Sequence, residues 1–162
     1  MGVSITDLLG DHLPDKLQHR IEIGNVYRIP LGKEDGLIVP HEHKYLLKYF
    51  IVIGFDDDGN IYGGLLISSD QPKGIRRELL LYQYSVKAEN NTFLKRDSWV
   101  NCTHIFPSSQ DKLSINNYLG CLDKESLYYI ISAILDENNP VITKKERKKY
   151  NIQLPKDPDN FF

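Results

Sequence analysis

Two histidines lie two positions apart, at His41 and His43, in a segment whose glycine and proline indicate a loop. Imidazole titrates near neutral pH, so such a pair can move protons or bind a metal ion. No third ligand follows at a fixed spacing, and Cys102 and Cys121 form no CxxC or Cys/His pattern. We therefore predict no metal site and no cofactor. The two histidines are either proton-transfer groups or solvated loop residues.

Basic residues form two clusters that could bind phosphates by releasing counterions. One lies in the loop after residue 69 and the other in the C-terminal tail. The chain as a whole has a net charge of −2, so a solvated surface explains either cluster equally well. The predicted RNA-binding residues in these clusters are Lys73, Arg76, Arg77, Lys144, Lys145, Arg147 and Lys148.

The composition indicates one soluble domain over residues 1–162. With 41% hydrophobic and 26% charged residues, the chain can bury a core without help from a metal or a disulfide. The two cysteines are expected to be buried free thiols, which favours a reducing compartment. No apolar run approaches the ~20 residues that span a bilayer, so we predict a cytoplasmic protein with no membrane segment.

The central element predicted from the pattern is a hairpin between Lys44 and Ser69. It joins two short apolar runs, residues 49–53 and 65–67, which are rich in β-branched and aromatic residues. The break at residues 56–60 contains Asp-Gly, which supplies the positive φ of a hairpin turn. A strand with a bend at Gly24-Asn25 is predicted before this hairpin, and further strands are predicted within residues 82–88 and 93–106.

A helix is predicted after Asp123, which can cap it. Its apolar side chains recur at i, i+3, i+4, i+7 and i+8, a spacing typical of a core-facing stripe: Leu127, Ile130, Ile131, Ile134 and Leu135. The core is thus expected over residues 21–138, between an N-terminal lead-in, residues 1–20, and a basic tail, residues 140–162.

The stretch from Leu94 to Ile105, which closes at Asp111-Lys112-Leu113, resembles the late strand pair of the MazF/PemK toxins, ribonucleases of toxin–antitoxin systems. The order of the parts matches too. Residues 24–27 resemble the family's opening strand, 48–53 its second strand, 66–69 its third strand and 119–125 the run into its last helix. The resemblance covers about residues 24–136.

This resemblance implies a mostly β fold with a C-terminal helix, built as an SH3-like, strongly bent antiparallel barrel. It also implies a homodimer that cuts single-stranded RNA without metal and has a small antitoxin protein as a partner. The related CcdB toxins bind a protein instead. A non-catalytic module that binds RNA or a protein is therefore the alternative, since a fold alone does not decide a function.

The residues that match the family's site differ from it in charge. Lys48 stands where an arginine stabilises the scissile phosphate, and Ser68 stands where a threonine lies on the third strand. Asn101 and Thr103 replace an arginine and an acidic residue of some members, and we expect Asn101 to contact RNA. Lysine can offset phosphate charge, but it lacks the guanidinium fork that grips two oxygens.

Three histidines could replace the missing proton-transfer groups: His41, His43 and His104. Each could take the proton of an RNA 2′-hydroxyl that attacks the adjacent phosphate. The alternative for His104 is a strand histidine satisfied by its neighbours. We expect Lys48, Ser68 and at least one histidine to line a common groove.

Overall fold

The computed structural model describes residues 19–67, 74 and 76–157. Ser68, Lys73 and most of the predicted lead-in lie outside these residues. The described strands are β1 (Asn25–Gly32), β2 (Tyr45–Phe55), β3 (Ile61–Ile67), β4 (Gln83–Val86), β5 (Ser98–Asn101), β6 (Phe106–Ser108) and β7 (Tyr118–Cys121). The described α-helices are α1 (Arg77–Leu80), α2 (Lys124–Leu135) and α3 (Lys144–Lys149).

The strands form one antiparallel sheet in the order β4-β5-β3-β2-β1-β7. Both β5 and β6 pair with the same edge of β3: β5 pairs with Leu66 and Ile67, and β6 pairs with residues 61–63. The prediction of a mostly β fold with a helix after the strands is confirmed. In its described part the sheet is open.

Both faces of the central strands are buried, and this explains why their sequences are continuous apolar runs. Side chains alternate along β2, so that Phe50 and Val52 join one apolar cluster while Ile51 and Ile53 join the other. The first cluster also contains Phe106 and Leu113, and the second is covered by α2.

The central hairpin is confirmed, with its turn at the predicted aspartates. Asp56 accepts hydrogen bonds from the backbone N–H groups of Asp58 and Asn60, both at 2.9 Å, and from the Tyr62 hydroxyl at 2.7 Å. Gly59 supplies the positive φ, +84°. The hydrogen bonds of the Asn60 and Tyr62 side chains lower the pKa of Asp56 to about 2, because they favour the ionised carboxylate.

Helix α2 also follows the prediction. The Asp123 carboxylate caps it by accepting a 3.0 Å hydrogen bond from the Ser126 N–H. Leu127, Ile130, Ile131 and Ile134 are buried against the sheet. The stripe is therefore core packing, as its period indicates.

The segment after α2 packs against the sheet, although we expected the core to end at residue 138. Ile142 and Ile152 are buried in the cluster under α2, and the Tyr150 ring lies 4.2 Å from the Tyr62 ring, measured between centroids. A Cβ at Gly54 would lie 2.5 Å from the Tyr150 carbonyl oxygen, so this backbone approach requires glycine. The chain therefore contacts β2 and β3 again after the end of α3.

Three further details differ from the sequence predictions. The first strand begins at Asn25, because Gly24, with φ of +94°, turns the chain before it. A single helical turn, α1, occupies part of the predicted loop before β4. Cys102 is a buried free thiol as predicted, and burial raises its pKa to about 12, but the free thiol of Cys121 lies on an exposed residue at the end of β7.

Candidate nucleic-acid interface

One side of the sheet carries a positively charged groove of about 390 Å³. We call it the basic groove. Four of its lining residues are cationic, and none of the described lining residues is acidic. The lining consists of Arg28, Leu47, Lys48, Tyr49, Leu66, Leu94, Lys95, Arg96 and Ser98.

The sheet and one turn position these cations. Arg28 is the exposed residue between buried Tyr27 and Ile29 on β1, and it lies opposite Tyr49 of β2. Lys95 and Arg96 belong to the turn before β5, where the Ser98 hydroxyl donates a 3.2 Å hydrogen bond to the Arg96 carbonyl oxygen. This turn delivers two adjacent cations to the groove.

Asp97, the acidic residue of the same turn, makes its contacts outside the groove. The Asp97 carboxylate accepts a 2.9 Å hydrogen bond from the Ala88 N–H and lies 3.6 Å from the Lys87 ammonium. Asp97 is therefore absent from the lining of the basic groove. Because no described carboxylate offsets them there, the four cations can attract phosphates.

A smaller cavity of about 130 Å³ lies on the opposite face of the sheet, where Leu65 and Phe106 belong to the other apolar cluster, and Lys48 lines both concavities. We call it the Lys48–His104 cavity. Its lining consists of Leu37, Lys48, Leu65, Asn101, His104 and Phe106. The structure thus brings together three of the residues predicted from the sequence: Lys48, Asn101 and His104.

His104 lies in the turn that connects β5 to β6. Its ring stacks on Phe106, with centroids 3.9 Å apart and planes inclined by 19°. Although His104 as a residue is exposed, desolvation lowers its pKa below the ordinary value of about 6.5, because desolvation disfavours the charged imidazolium. His104 is therefore neutral at pH 7, and one ring nitrogen can accept a proton.

Asn101 holds the same turn together. Its side-chain oxygen accepts 3.0 Å hydrogen bonds from the Thr103 N–H and from the Gln83 side chain. Its carbonyl oxygen accepts a 3.3 Å bond from the His104 N–H. The position of His104 in the cavity thus depends on Asn101.

The other predicted histidines and the predicted loop cations lie elsewhere. His41 and His43 are exposed in the loop between β1 and β2 and line neither cavity. Arg76 lies 3.6 Å from Glu78 on an exposed surface, and Arg77 is also exposed. Ser68 and Lys73 lie outside the described residues.

The basic residues of α3 face an acidic surface of their own chain. Lys145, Lys148 and Lys149 share an open cleft of about 590 Å³ with the three aspartates of the hairpin turn, Asp56, Asp57 and Asp58. Arg147 donates a 2.7 Å hydrogen bond to the Ile142 carbonyl oxygen, while Lys144 is exposed at the start of the helix. None of these residues lines the basic groove.

Arg28, Lys95 and Arg96 are not among the site residues predicted from the sequence. The local sequence does distinguish each of these three residues. Arg28 is the lone cation in an otherwise apolar strand, and Lys95-Arg96 is a basic pair directly before a strand. Such residues either face solvent or mark a binding surface, and only the sheet order shows that they meet.

A scan against models of known protein families finds no match to this chain, and no curated protein sequence matches it. The resemblance to the MazF/PemK toxins therefore rests on the residues quoted above and stays a prediction. Within residues 19–67, 74 and 76–157, no three His, Cys, Asp or Glu side chains are grouped so that they could hold a metal ion. In the same part of the chain, no helix is long and apolar enough to cross a membrane.

Proposed function

We propose that this protein binds single-stranded RNA along the basic groove and cleaves it at the Lys48–His104 cavity. The observation that carries the proposal is the position of Lys48, which lines both concavities. The two concavities lie on opposite faces of the sheet, so a strand whose phosphates follow Arg28, Lys95 and Arg96 passes around Lys48 to present one phosphate beside its ammonium and the adjoining ribose beside His104. This is the toxin-type endoribonuclease that the family resemblance implies.

The proposed reaction begins with proton transfer to His104. Its neutral ring accepts the 2′-hydroxyl proton, and the 2′-oxygen attacks the adjacent phosphorus. The Lys48 ammonium offsets the charge that develops on the phosphoryl oxygens. The bond to the 5′-oxygen then breaks, the leaving oxygen takes a proton from solvent, and a 2′,3′-cyclic phosphate remains.

Single-stranded RNA fits the groove better than a duplex does. The lining mixes cations with the exposed Leu47 and the half-buried Tyr49, and unpaired bases can rest on such apolar and aromatic surface while the phosphates meet the cations. The proposed reaction uses no metal ion, because the attacking group is the 2′-hydroxyl of the RNA itself.

A second candidate is an RNA-binding module that does not cleave. The observation that favours it is that His104 is the one described histidine lining the two cavities, so that no second imidazole protonates the leaving oxygen. In this case the basic groove binds RNA and no bond is broken. The two candidates therefore share a binding surface and differ in whether a bond is broken.

Further proposals rest on the family resemblance alone. They are an SH3-like bent barrel for the sheet, a homodimer and a small antitoxin protein that binds the toxin. A cytoplasmic location is proposed separately, from the cysteine usage and the lack of a long apolar run in the sequence. Analytical ultracentrifugation of the full chain tests the homodimer directly. A monomer at all concentrations would contradict that part.

The experiment that tests cleavage uses two strands of one sequence. The full chain in excess is mixed in chelator with a long single-stranded RNA or with its 2′-deoxy counterpart, and products are followed in a single turnover. We expect the RNA to be cut to cyclic-phosphate ends and the deoxy strand to be bound but not cut. Intact RNA with salt-dependent binding supports the binding module, and absence of both activities refutes the proposed function.

A further inference from the structure

The orientation of the Asn101 amide is fixed by obligate hydrogen-bonding groups. A backbone N–H can only donate, and the Thr103 N–H lies 3.0 Å from the Asn101 side-chain oxygen. The Thr103 hydroxyl, at 2.5 Å, also bonds this oxygen. The oxygen must therefore be the atom that faces the turn.

The neighbouring Gln83 fixes the orientation independently. Its side-chain nitrogen donates a 3.2 Å hydrogen bond to the Leu79 carbonyl oxygen, which can only accept, and a 3.0 Å bond to the same Asn101 oxygen. Neither amide can flip without placing two donors or two acceptors against each other. Asn101 therefore offers the cavity its –NH₂ group, which donates hydrogen bonds and accepts none.

We infer that Asn101 selects the base of the nucleotide at the cleavage position, preferring the keto bases guanine and uracil over the amino bases adenine and cytosine. This inference rests on the proposed function. Guanine carries a carbonyl oxygen where adenine carries an amino group, and uracil differs from cytosine in the same way. The Asn101 –NH₂ bonds a carbonyl oxygen, whereas an amino group opposite it leaves two donors facing each other.

The position of Asn101 suits this role. Asn101 and His104 belong to one turn, joined by the hydrogen bond from the His104 N–H to the Asn101 carbonyl oxygen, and both line the Lys48–His104 cavity. A ribose whose 2′-hydroxyl meets His104 has its base within the same cavity. Leu37, Leu65 and Phe106 provide apolar walls for the faces and edges of that base.

The test uses four DNA strands that each contain one ribonucleotide, with guanine, adenine, uracil or cytosine as its base. Each strand has a single 2′-hydroxyl, so the position of cleavage and its base are defined. We expect guanine to be cut faster than adenine and uracil faster than cytosine, each by about three- to tenfold, the typical worth of one hydrogen bond. Equilibrium binding of the same four strands measures the same preference independently of cleavage.

The matched variant is Asn101→Asp. It keeps an oxygen for Thr103 and Gln83 but replaces the –NH₂ with a second acceptor, which suits the amino groups of cytosine and adenine. The added charge repels all four strands alike, so the ratio of keto to amino bases isolates the effect on the base. We expect this ratio to fall below that of the unmutated protein and to approach or cross one.

The outcomes separate this inference from the proposed function. Equal treatment of the four bases by the unmutated protein, or an unchanged ratio in Asn101→Asp, overturns the inference. If all four strands are still cut or bound in such a case, the proposed function stands. Absence of both cleavage and binding for every strand overturns the two together.

Discussion

Lys48 on β2 and His104 in the turn after β5 line one cavity, although β3 separates their strands in the sheet. The connection between β5 and β6 produces this meeting. Both strands run in the same direction along one edge of β3, β5 beside its end and β6 beside its start, so residues 102–105 loop out between them. A cation that can stabilise phosphate charge thus shares a cavity with a neutral imidazole. The predictions below test what this pair does.

The first prediction concerns the dependence of cleavage on pH. His104 acts as a base only when neutral, and desolvation lowers its pKa below about 6.5. The cleavage rate should therefore be constant near pH 7 and fall as the pH drops through this lowered pKa. Single-turnover rates measured between about pH 5 and pH 8 test it.

The matched variant for this profile is His104→Gln, which keeps a polar side chain that does not titrate. Losing a general base typically costs ~10²–10⁴ in rate, and the acidic limb of the profile should disappear with it. If His104→Gln keeps the unmutated rate and its rate still falls at low pH, another group accepts the proton. An exposed histidine, His41, substituted in the same way, serves as the control.

The second prediction separates the basic groove from α3. Arg28→Ala and Arg96→Ala should each reduce the slope of log K against log[salt] by ~0.7, the value for one phosphate contact on a single strand. Lys148→Ala should leave the slope nearly unchanged, because Lys148 faces the aspartates of the hairpin turn. RNA binding measured at several salt concentrations gives the slopes. A larger effect from Lys148 than from Arg28 would locate the binding surface on α3.

The helix and the central hairpin could be predicted from the sequence, because each is specified by neighbouring residues. The stripe that ends with Leu135 needs only the 3.6-residue period, and the turn at Asp56 needs only Asp-Gly between two apolar runs. The packing of Ile152 against β2 could not be predicted. It depends on the close approach of Tyr150 to Gly54, which is a contact between distant parts of the chain.

The residues of the candidate site also fall into those that the sequence predicts and those that it does not. Lys48 and His104 were selected from a resemblance and from the chemistry of their side chains, but their meeting depends on which strands flank β3. His41 was selected by the same chemistry, and its loop leaves it exposed outside both cavities. Arg28 stands out as the one cation of its strand, but its local sequence does not show that a groove exists, because the other wall of that groove, Lys95-Arg96, comes from the turn before β5.

The third prediction tests the packing of α2. Ile131 is fully buried, so Ile131→Ala should leave a cavity and lower the free energy of unfolding by ~2–4 kcal/mol. Denaturant melts of the full chain measure the change. Lys124→Ala on the exposed start of the same helix is the control and should change stability by less than ~0.5 kcal/mol. A loss below ~1 kcal/mol for Ile131→Ala would contradict a packed core at this position.

The fourth prediction concerns acid stability at the hairpin turn. The pKa of Asp56 is about 2 in the folded protein, below the ordinary value of 3.8 for this side chain, so folding favours the ionised carboxylate. The stabilisation of the folded state by the ionised Asp56 carboxylate is complete above about pH 4 and is lost as the pH falls toward about 2. Asp56→Asn should therefore weaken the dependence of unfolding on pH in this window. Asp57→Asn removes the same charge without those hydrogen bonds and should leave the dependence in place.

The account depends most on the role of Lys48 in the transition state. The direct measurement compares Lys48→Ala with the unmutated chain in a single-turnover cut of one RNA in chelator, alongside equilibrium binding of the same RNA. We predict a rate lower by ~10²–10³, since one stabilising donor is lost, with a much smaller loss of affinity. Lys48→Arg should retain cleavage, because a guanidinium can also offset the phosphate charge. Equal losses of rate and affinity in Lys48→Ala, or no cleavage by the unmutated protein, would contradict the account.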